Sequence, residues 1–148
     1  MYPSRNFLGV ELQGERVEKT RKKIRSHNLQ NALVSRMEGL DAIRALPEAC
    51  VDFIHVLFPD PWPKRRHHVR RLVQEAFLKA SLRALKADGV LRLVTDDPDY
   101  AMAMVETVEN FPAFAPTEDL REYPLTEFQK KFLIDARAVH TLVVTRAE

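Results

Sequence analysis

The stretch FPDPWPKRRHHVRRL, Phe58 to Leu72, decides how the rest of the chain is read. Before it stands VDFIHVL, Val51 to Leu57, an apolar and β-branched run with the character of a buried strand. After it, Val73 to Ala87 repeats apolar residues at helical spacing. Between them Pro59, Pro61 and Pro63 forbid both helix interior and sheet ladder, because each lacks an N–H and fixes φ. A strand therefore runs out at its carboxyl end into a stiff loop and returns as a helix. The loop carries an acid (Asp60), an aromatic (Trp62) and five cations: Lys64, Arg65, Arg66, Arg70 and Arg71. In open α/β sheets ligands sit beyond the carboxyl ends of the strands. A rigid acid beside a basic cluster at such a place suggests an enzyme acting on an anionic polymer. The plainer alternative is a solvated basic face with Trp62 capping a core.

Outward from this unit the same alternation continues. Toward the N-terminus, Asn6–Leu12 reads as a short buried strand, Glu15–His27 as a charged helix and Ala32–Met37 as a second strand. Leu40–Leu46 reads as a short helix stopped near Pro47. Toward the C-terminus, Val73, Phe77, Ala80 and Ala84 form one helical stripe, with Leu78, Leu82 and Leu85 beside it. Gly89 is placed to end that helix in the left-handed conformation. Val90–Thr95 is the next strand, and Asp99–Asn110 a helix burying Ala101, Met104, Val105 and Val108. Phe111–Glu122 is irregular, Thr126–Arg137 helical or turn-like, and Val139–Thr145 a last strand at or near a sheet edge. Strands alternating with helices predict an α/β fold with a mainly parallel sheet.

Composition bounds the possibilities. The 148 residues are enough for one domain with a proper core, and 45% apolar with 30% charged residues is an ordinary water-soluble balance. The net charge is +2, so five cations in one loop leave the rest of the chain net negative. A localised positive patch fits docking better than uniform polyanion binding. The lone Cys50 excludes an internal disulfide and suits a reducing cytoplasm. No Cys/His spacing suggests a metal site, and no apolar run approaches the roughly 18 residues of a membrane span. The sequence sets no oligomeric state.

The string PDPWPKRRHHVRR resembles the signature of the bacterial tRNA (guanine-N7-)-methyltransferases, which use S-adenosylmethionine. FLGVE at Phe7–Glu11, TDDPDY at Thr95–Tyr100 and TEFQKKF at Thr126–Phe132 follow in the family's order, so the resemblance covers nearly the whole chain. It implies a Rossmann-like class I methyltransferase sheet whose last strand inserts antiparallel. It also implies tRNA as partner and methyl transfer to N7 of a variable-loop guanosine as the reaction.

The resemblance assigns roles residue by residue, and the chemistry of each residue agrees with its role. Glu11, closing its strand, is similar to the acid that accepts from the cofactor ribose hydroxyls. Glu38, where the family more often has Asp, resembles the acid that contacts the adenosine moiety. Asp60 resembles the active-site acid and stands beside the cofactor. A carboxylate accepts well from the guanine N1–H and N2–H donors, and it offsets the positive charge that N7 methylation places on the purine. Lys64 and Asp96 match substrate contacts, as do Thr126, Glu127, Phe128 and Gln129. Asp96 alternatively reads as an N-cap, and Thr126 with Gln129 as a capping box. Arg65, Arg66, Arg70 and Arg71 are expected on tRNA phosphates, positioning the RNA without reading sequence. His67 and His68 read as solvent- or phosphate-facing, and Trp62 more as packing under the loop than as a base-stacking platform.

The glycine-rich strand–turn–helix that precedes FLGVE in such enzymes has no counterpart among Gly9, Gly14, Gly39 and Gly89. The expectation is therefore a single, N-terminally truncated methyltransferase domain over residues 1–148 that lacks the first strand and helix. Weak or absent binding of S-adenosylmethionine is expected with it. The competing readings are a non-catalytic RNA-binding remnant without a complete cofactor site and a module whose basic loop meets an acidic protein.

Overall fold

The computed structural model describes residues 4–118, 123–135 and 137–147, with the side chain of Phe128 outside that set. The chain divides into two compact units, residues 1–45 and 46–148.

In the first unit, β1 (Phe7–Glu11) and β2 (Ala32–Arg36) pair in parallel, with Phe7 opposite Ala32 and Glu11 opposite Arg36. The crossover between them is α1 (Gly14–Ser26), and α2 (Gly39–Ala45) follows β2. Val17 of α1 and Ala42 of α2 are buried. The guanidinium of Arg36 donates from Nε to the carbonyl of Leu12 at 3.0 Å, tying the end of β2 to the turn after β1. The sequence predicts a buried β1, and here the structure differs: Phe7, Leu8 and Val10 are all exposed. Among the described residues β1 has one strand neighbour only, so its other edge is unpaired there.

The second unit is a four-stranded sheet in the order β3–β4–β6–β5. β3 (Val51–Leu57) and β4 (Leu85–Thr95) are parallel, while β6 (His140–Arg146) runs antiparallel to both β4 and β5 (Phe114–Pro116). The mainly parallel α/β pattern with an antiparallel last strand is thus the observed one. β6 is not itself the edge. The short β5, in a segment read as irregular, pairs along its outer side, which buries Val144 completely.

The helix α3 (Glu75–Ala84) packs on this sheet through the stripe that its sequence announces: Phe77, Leu78, Ala80 and Ala84 are buried, as is Val73 just before it. It ends three residues earlier than its periodicity suggests. Leu85 is captured by pairing with Val51, and residues 86–89 bulge out before Val90 rejoins opposite Phe53. Gly89 lies in that bulge and has no positive φ. Its requirement is space, because a Cβ there would stand 2.9 Å from both the Leu85 side chain and the Lys86 carbonyl. α4 (Pro98–Glu109) buries Tyr100, Met104 and Val108, with Val105 exposed instead of buried. α5 (Glu127–Ile134) precedes β6. Among the described residues no helix is long and apolar enough to cross a membrane.

Candidate active site

Because β3 and β4 are parallel neighbours with Leu57 opposite Val94, the chain leaves both strands at one edge of the sheet. Phe58 turns out of β3 while its N–H still donates to the Val94 carbonyl at 2.8 Å. The turn places Phe58 at φ 51°, and Trp62 lies at φ 45°. Bulky side chains rarely adopt this left-handed region, and strain of this kind concentrates at functional sites. Asp60 sits between these two residues, exposed, in an open hollow of about 290 Å³ lined by Asp60, Pro61, Trp62 and Pro63. A larger groove of about 900 Å³ between α4 and β6 contains neither Asp60 nor Asp96.

From the adjacent strand, Asp96 emerges beside this loop. Capping of α4 falls to Asp97, whose carboxylate accepts from the Tyr100 N–H at 2.7 Å. Asp96 is thereby left out of the cap, half-buried, with Arg137 3.9 Å away. The third contributor is α5. Its Phe132 packs edge-on against Phe58 at 5.3 Å between centroids, and the Arg137 guanidinium lies over the Phe132 ring at 5.6 Å. Thr126 and Gln129 form a complete capping box at the start of α5. Thr126 Oγ1 accepts from the Gln129 N–H at 3.1 Å, and Gln129 Oε1 from the Thr126 N–H at 3.0 Å. Glu127 is exposed beside Lys130, while the Phe128 side chain lies outside the described set. Phe58, at the start of the loop that carries Asp60, thus packs on α5, and Asp96 lies near Arg137 just beyond α5, at the carboxyl edge of β3 and β4.

The basic run folds as a 3-10 turn, Arg65–Arg70. Lys64, Arg65, Arg66 and Arg70 are exposed, and among the described residues none has an ion-pair partner. Trp62 packs inside this turn, edge-on to His67 at 5.9 Å with the Arg70 guanidinium 5.0 Å over its ring. Arg71 differs from the other four. It is buried, with 7% of its surface exposed, and its donors are engaged by the Pro61 carbonyl and the Asp99 carboxylate. The structure does not support the expectation that Arg71 grips phosphate: its guanidinium is buried and donates from Nε and Nη2 to partners inside the protein. His68 is half-buried, with Nε2 3.9 Å from Asp99. The hydrogen bond from Arg71 holds the Asp99 carboxyl below its ordinary pKa. Burial pushes the Tyr100 phenol up.

Glu11 and Glu38 belong to the first unit. Glu11 Oε1 accepts from the Gln13 N–H at 2.9 Å, which fixes the carboxylate at the strand end, and Oε2 lies 3.4 Å from Arg16. Glu38 stands two residues beyond β2 and is exposed. Both acids stand at the carboxyl ends of adjacent parallel strands, Glu38 exposed and Glu11 half-buried. Acceptors so placed fit the hydroxyl and amino donors of a nucleoside. Asp99, Tyr100, Phe132 and Arg137 escaped the sequence reading as parts of the site. Asp99 and Tyr100 were visible in TDDPDY, but their partners lie in the proline loop, far off in sequence.

A sheet of this order, with acids at the tips of its parallel strands and an antiparallel β6, is a Rossmann-like methyltransferase fold. Solved structures agree: an rRNA methylase from Streptococcus thermophilus superposes with TM-score 0.60 at 14% identity, covering 97% of this chain and 74% of that one. An S-adenosylmethionine-dependent O-methyltransferase from Thermotoga maritima does so with TM-score 0.62 at 14% identity, covering 99% and 51%. At the level of sequence, a family model described as a putative methyltransferase matches residues 1–142, and the chain belongs to that family. It is 36% identical over 137 residues to the tRNA (guanine-N(7)-)-methyltransferase of Marinobacter nauticus, an alignment covering 87% of this chain and 58% of the relative. The chain thus spans a little over half the length of the curated relatives that it matches.

Proposed function

We propose that this chain methylates N7 of a variable-loop guanosine in tRNA, in the cytoplasm, with residues 1–148 acting as one methyltransferase domain that holds S-adenosylmethionine weakly. The observation that carries the reading is Asp60, braced between two left-handed residues at the tip of β3 and followed by four unpaired, exposed cations. Its similarity to a tRNA (guanine-N(7)-)-methyltransferase supports the choice of substrate. Glu11 would accept from ribose hydroxyls and Glu38 from the adenosine part of S-adenosylmethionine. Bound S-adenosylmethionine supplies a methyl group on a positively charged sulfur.

The guanine N7 lone pair needs no deprotonation. N7 would use that lone pair to take the methyl group that bound S-adenosylmethionine would supply, and the purine would become cationic. The work left for the protein is placement and electrostatics. Asp60 accepts from the guanine Watson–Crick edge and offsets the new positive charge. Asp96 and Lys64 contact the nucleotide, with Thr126, Glu127, Phe128 and Gln129 as the segment flanking it. Lys64, Arg65, Arg66 and Arg70 hold phosphates.

The test is transfer of a labelled methyl group to unmodified tRNA transcript, with the product mapped as N7-methylguanosine. Transfer that depends on Asp60 is expected. A chain that retains tRNA in gel shifts and transfers nothing would overturn the reading in favour of an RNA-binding role.

A further inference from the structure

We propose that Arg71 is a positioning residue: its buried guanidinium fastens the peptide just after Asp60 to the first turn of α4, and so fixes where the Asp60 carboxylate stands. The catalytic part of this inference rests on the proposed function.

The loop cannot staple itself. Pro59, Pro61 and Pro63 remove every second backbone donor from it, so the geometry at Asp60 has to be imposed by a side chain from elsewhere. Arg71 supplies that side chain. Nε donates to the Pro61 carbonyl at 2.7 Å, and Nη2 donates to Asp99 Oδ2 at 2.5 Å. The flat face of the guanidinium lies 4.7 Å from the centre of the Tyr100 ring. Tyr100 is itself completely buried, and its hydroxyl accepts from the Val73 N–H at 3.0 Å. Arg71 is also tied through its backbone. Its N–H closes the 3-10 turn on the His68 carbonyl, and its carbonyl accepts from Gln74 Nε2 at 2.8 Å. Loop, basic turn, start of α3 and start of α4 are therefore joined at one residue. A planar fork can serve a carbonyl from Nε, a carboxylate from Nη2 and an aromatic ring on its face at once; a lysine ammonium is a point charge on a flexible stem.

The diagnostic variant is Arg71→Lys, which keeps the charge and loses the fork. Trp62, the only tryptophan of the chain, lies in the loop and reports on it without any ligand. Arg71→Lys should red-shift Trp62 emission and raise its quenching by acrylamide. It should also lower kcat for methyl transfer by about 10- to 100-fold, the penalty of a misplacement on the ångström scale. Affinity for tRNA should stay within about twofold, with its salt dependence unchanged, because no phosphate contact is lost. Asp99→Ala gives a second variant that removes one arm at an exposed carboxylate, and it should move the same readouts in the same direction. Wild-type Trp62 emission together with wild-type kcat in both variants would overturn the proposal. So would loss of tRNA affinity with a flattened salt slope, which would make Arg71 a phosphate ligand. If wild-type protein transfers no methyl group the proposed function falls, while Trp62 emission still decides whether the clamp exists.

Discussion

In the proposed reaction the chemistry would turn on Asp60, whose task separates charge from shape. Asp60→Asn keeps the size and one acceptor but removes the charge that offsets a cationic purine. Losing one stabilising group of this kind costs about 10²- to 10³-fold in rate. A loss in kcat of that order is expected, with tRNA affinity within about twofold, in single-turnover methyl transfer and gel shifts. Asp99 offers a titration of the loop itself. Its carboxyl is held below the usual value, first by the hydrogen bond from Arg71. A depressed carboxylate stabilises the fold above its unfolded pKa of about 3.9 and loses that contribution as pH falls through the lower folded value. Trp62 emission should accordingly hold steady down to the ordinary aspartate range and shift below it, and Asp99→Asn should abolish that step. The sequence displays Asp60 and the cations openly, yet it puts Arg71 on the same footing as Arg65, Arg66 and Arg70. The difference is made by Asp99 and by Tyr100, whose ring lies under the guanidinium, and no local pattern links residues so far apart.

At the scale of elements, two local devices hold the frame around the site. The Thr126–Gln129 box starts α5, whose Phe132 packs on Phe58, so Thr126→Ala should cost about 1 kcal/mol in urea unfolding. It should also lower methyl transfer if the start of α5 flanks the substrate. Gly89→Ala should cost more, about 1–3 kcal/mol, because the new methyl group meets a backbone carbonyl that cannot step aside. A lowered urea midpoint at unchanged slope would register either loss. Most element bounds were legible. Val51–Leu57 is a strand over the range that its β-branched run indicates, and prolines mark the loop after it. The end of α3 was not legible, because Leu85 continues the helical stripe while strand pairing with Val51 claims it. Gly89 invited a left-handed reading for the same reason: crowding inside a bulge leaves no mark in sequence. The short β5 escaped because three residues carry no periodicity, and it exists by virtue of pairing with β6.

For the whole molecule the argument is electrostatic. The chain carries a net charge of only +2, yet Lys64 and three arginines of the turn that follows it stand exposed near Asp60, without an ion-pair partner among the described residues. Against a polyanion such a patch behaves as a local counterion trap. Each phosphate that the patch neutralises should contribute about 0.7–0.9 to the slope of log affinity against log salt. Replacing Arg65, Arg66 and Arg70 with Gln should therefore flatten that slope by about 2–3 and weaken tRNA binding most at low salt. Asp60→Asn should leave the slope as it is. On the proposed reading the three arginines hold the RNA and do not touch the reacting atoms, so the triple variant should raise KM far more than it lowers kcat. A slope equal to that of the wild type would mean that the RNA docks elsewhere. A collapse of kcat at saturating tRNA would mean instead that these arginines shape the Asp60 loop as well as gripping the backbone, through the Arg70 guanidinium over Trp62.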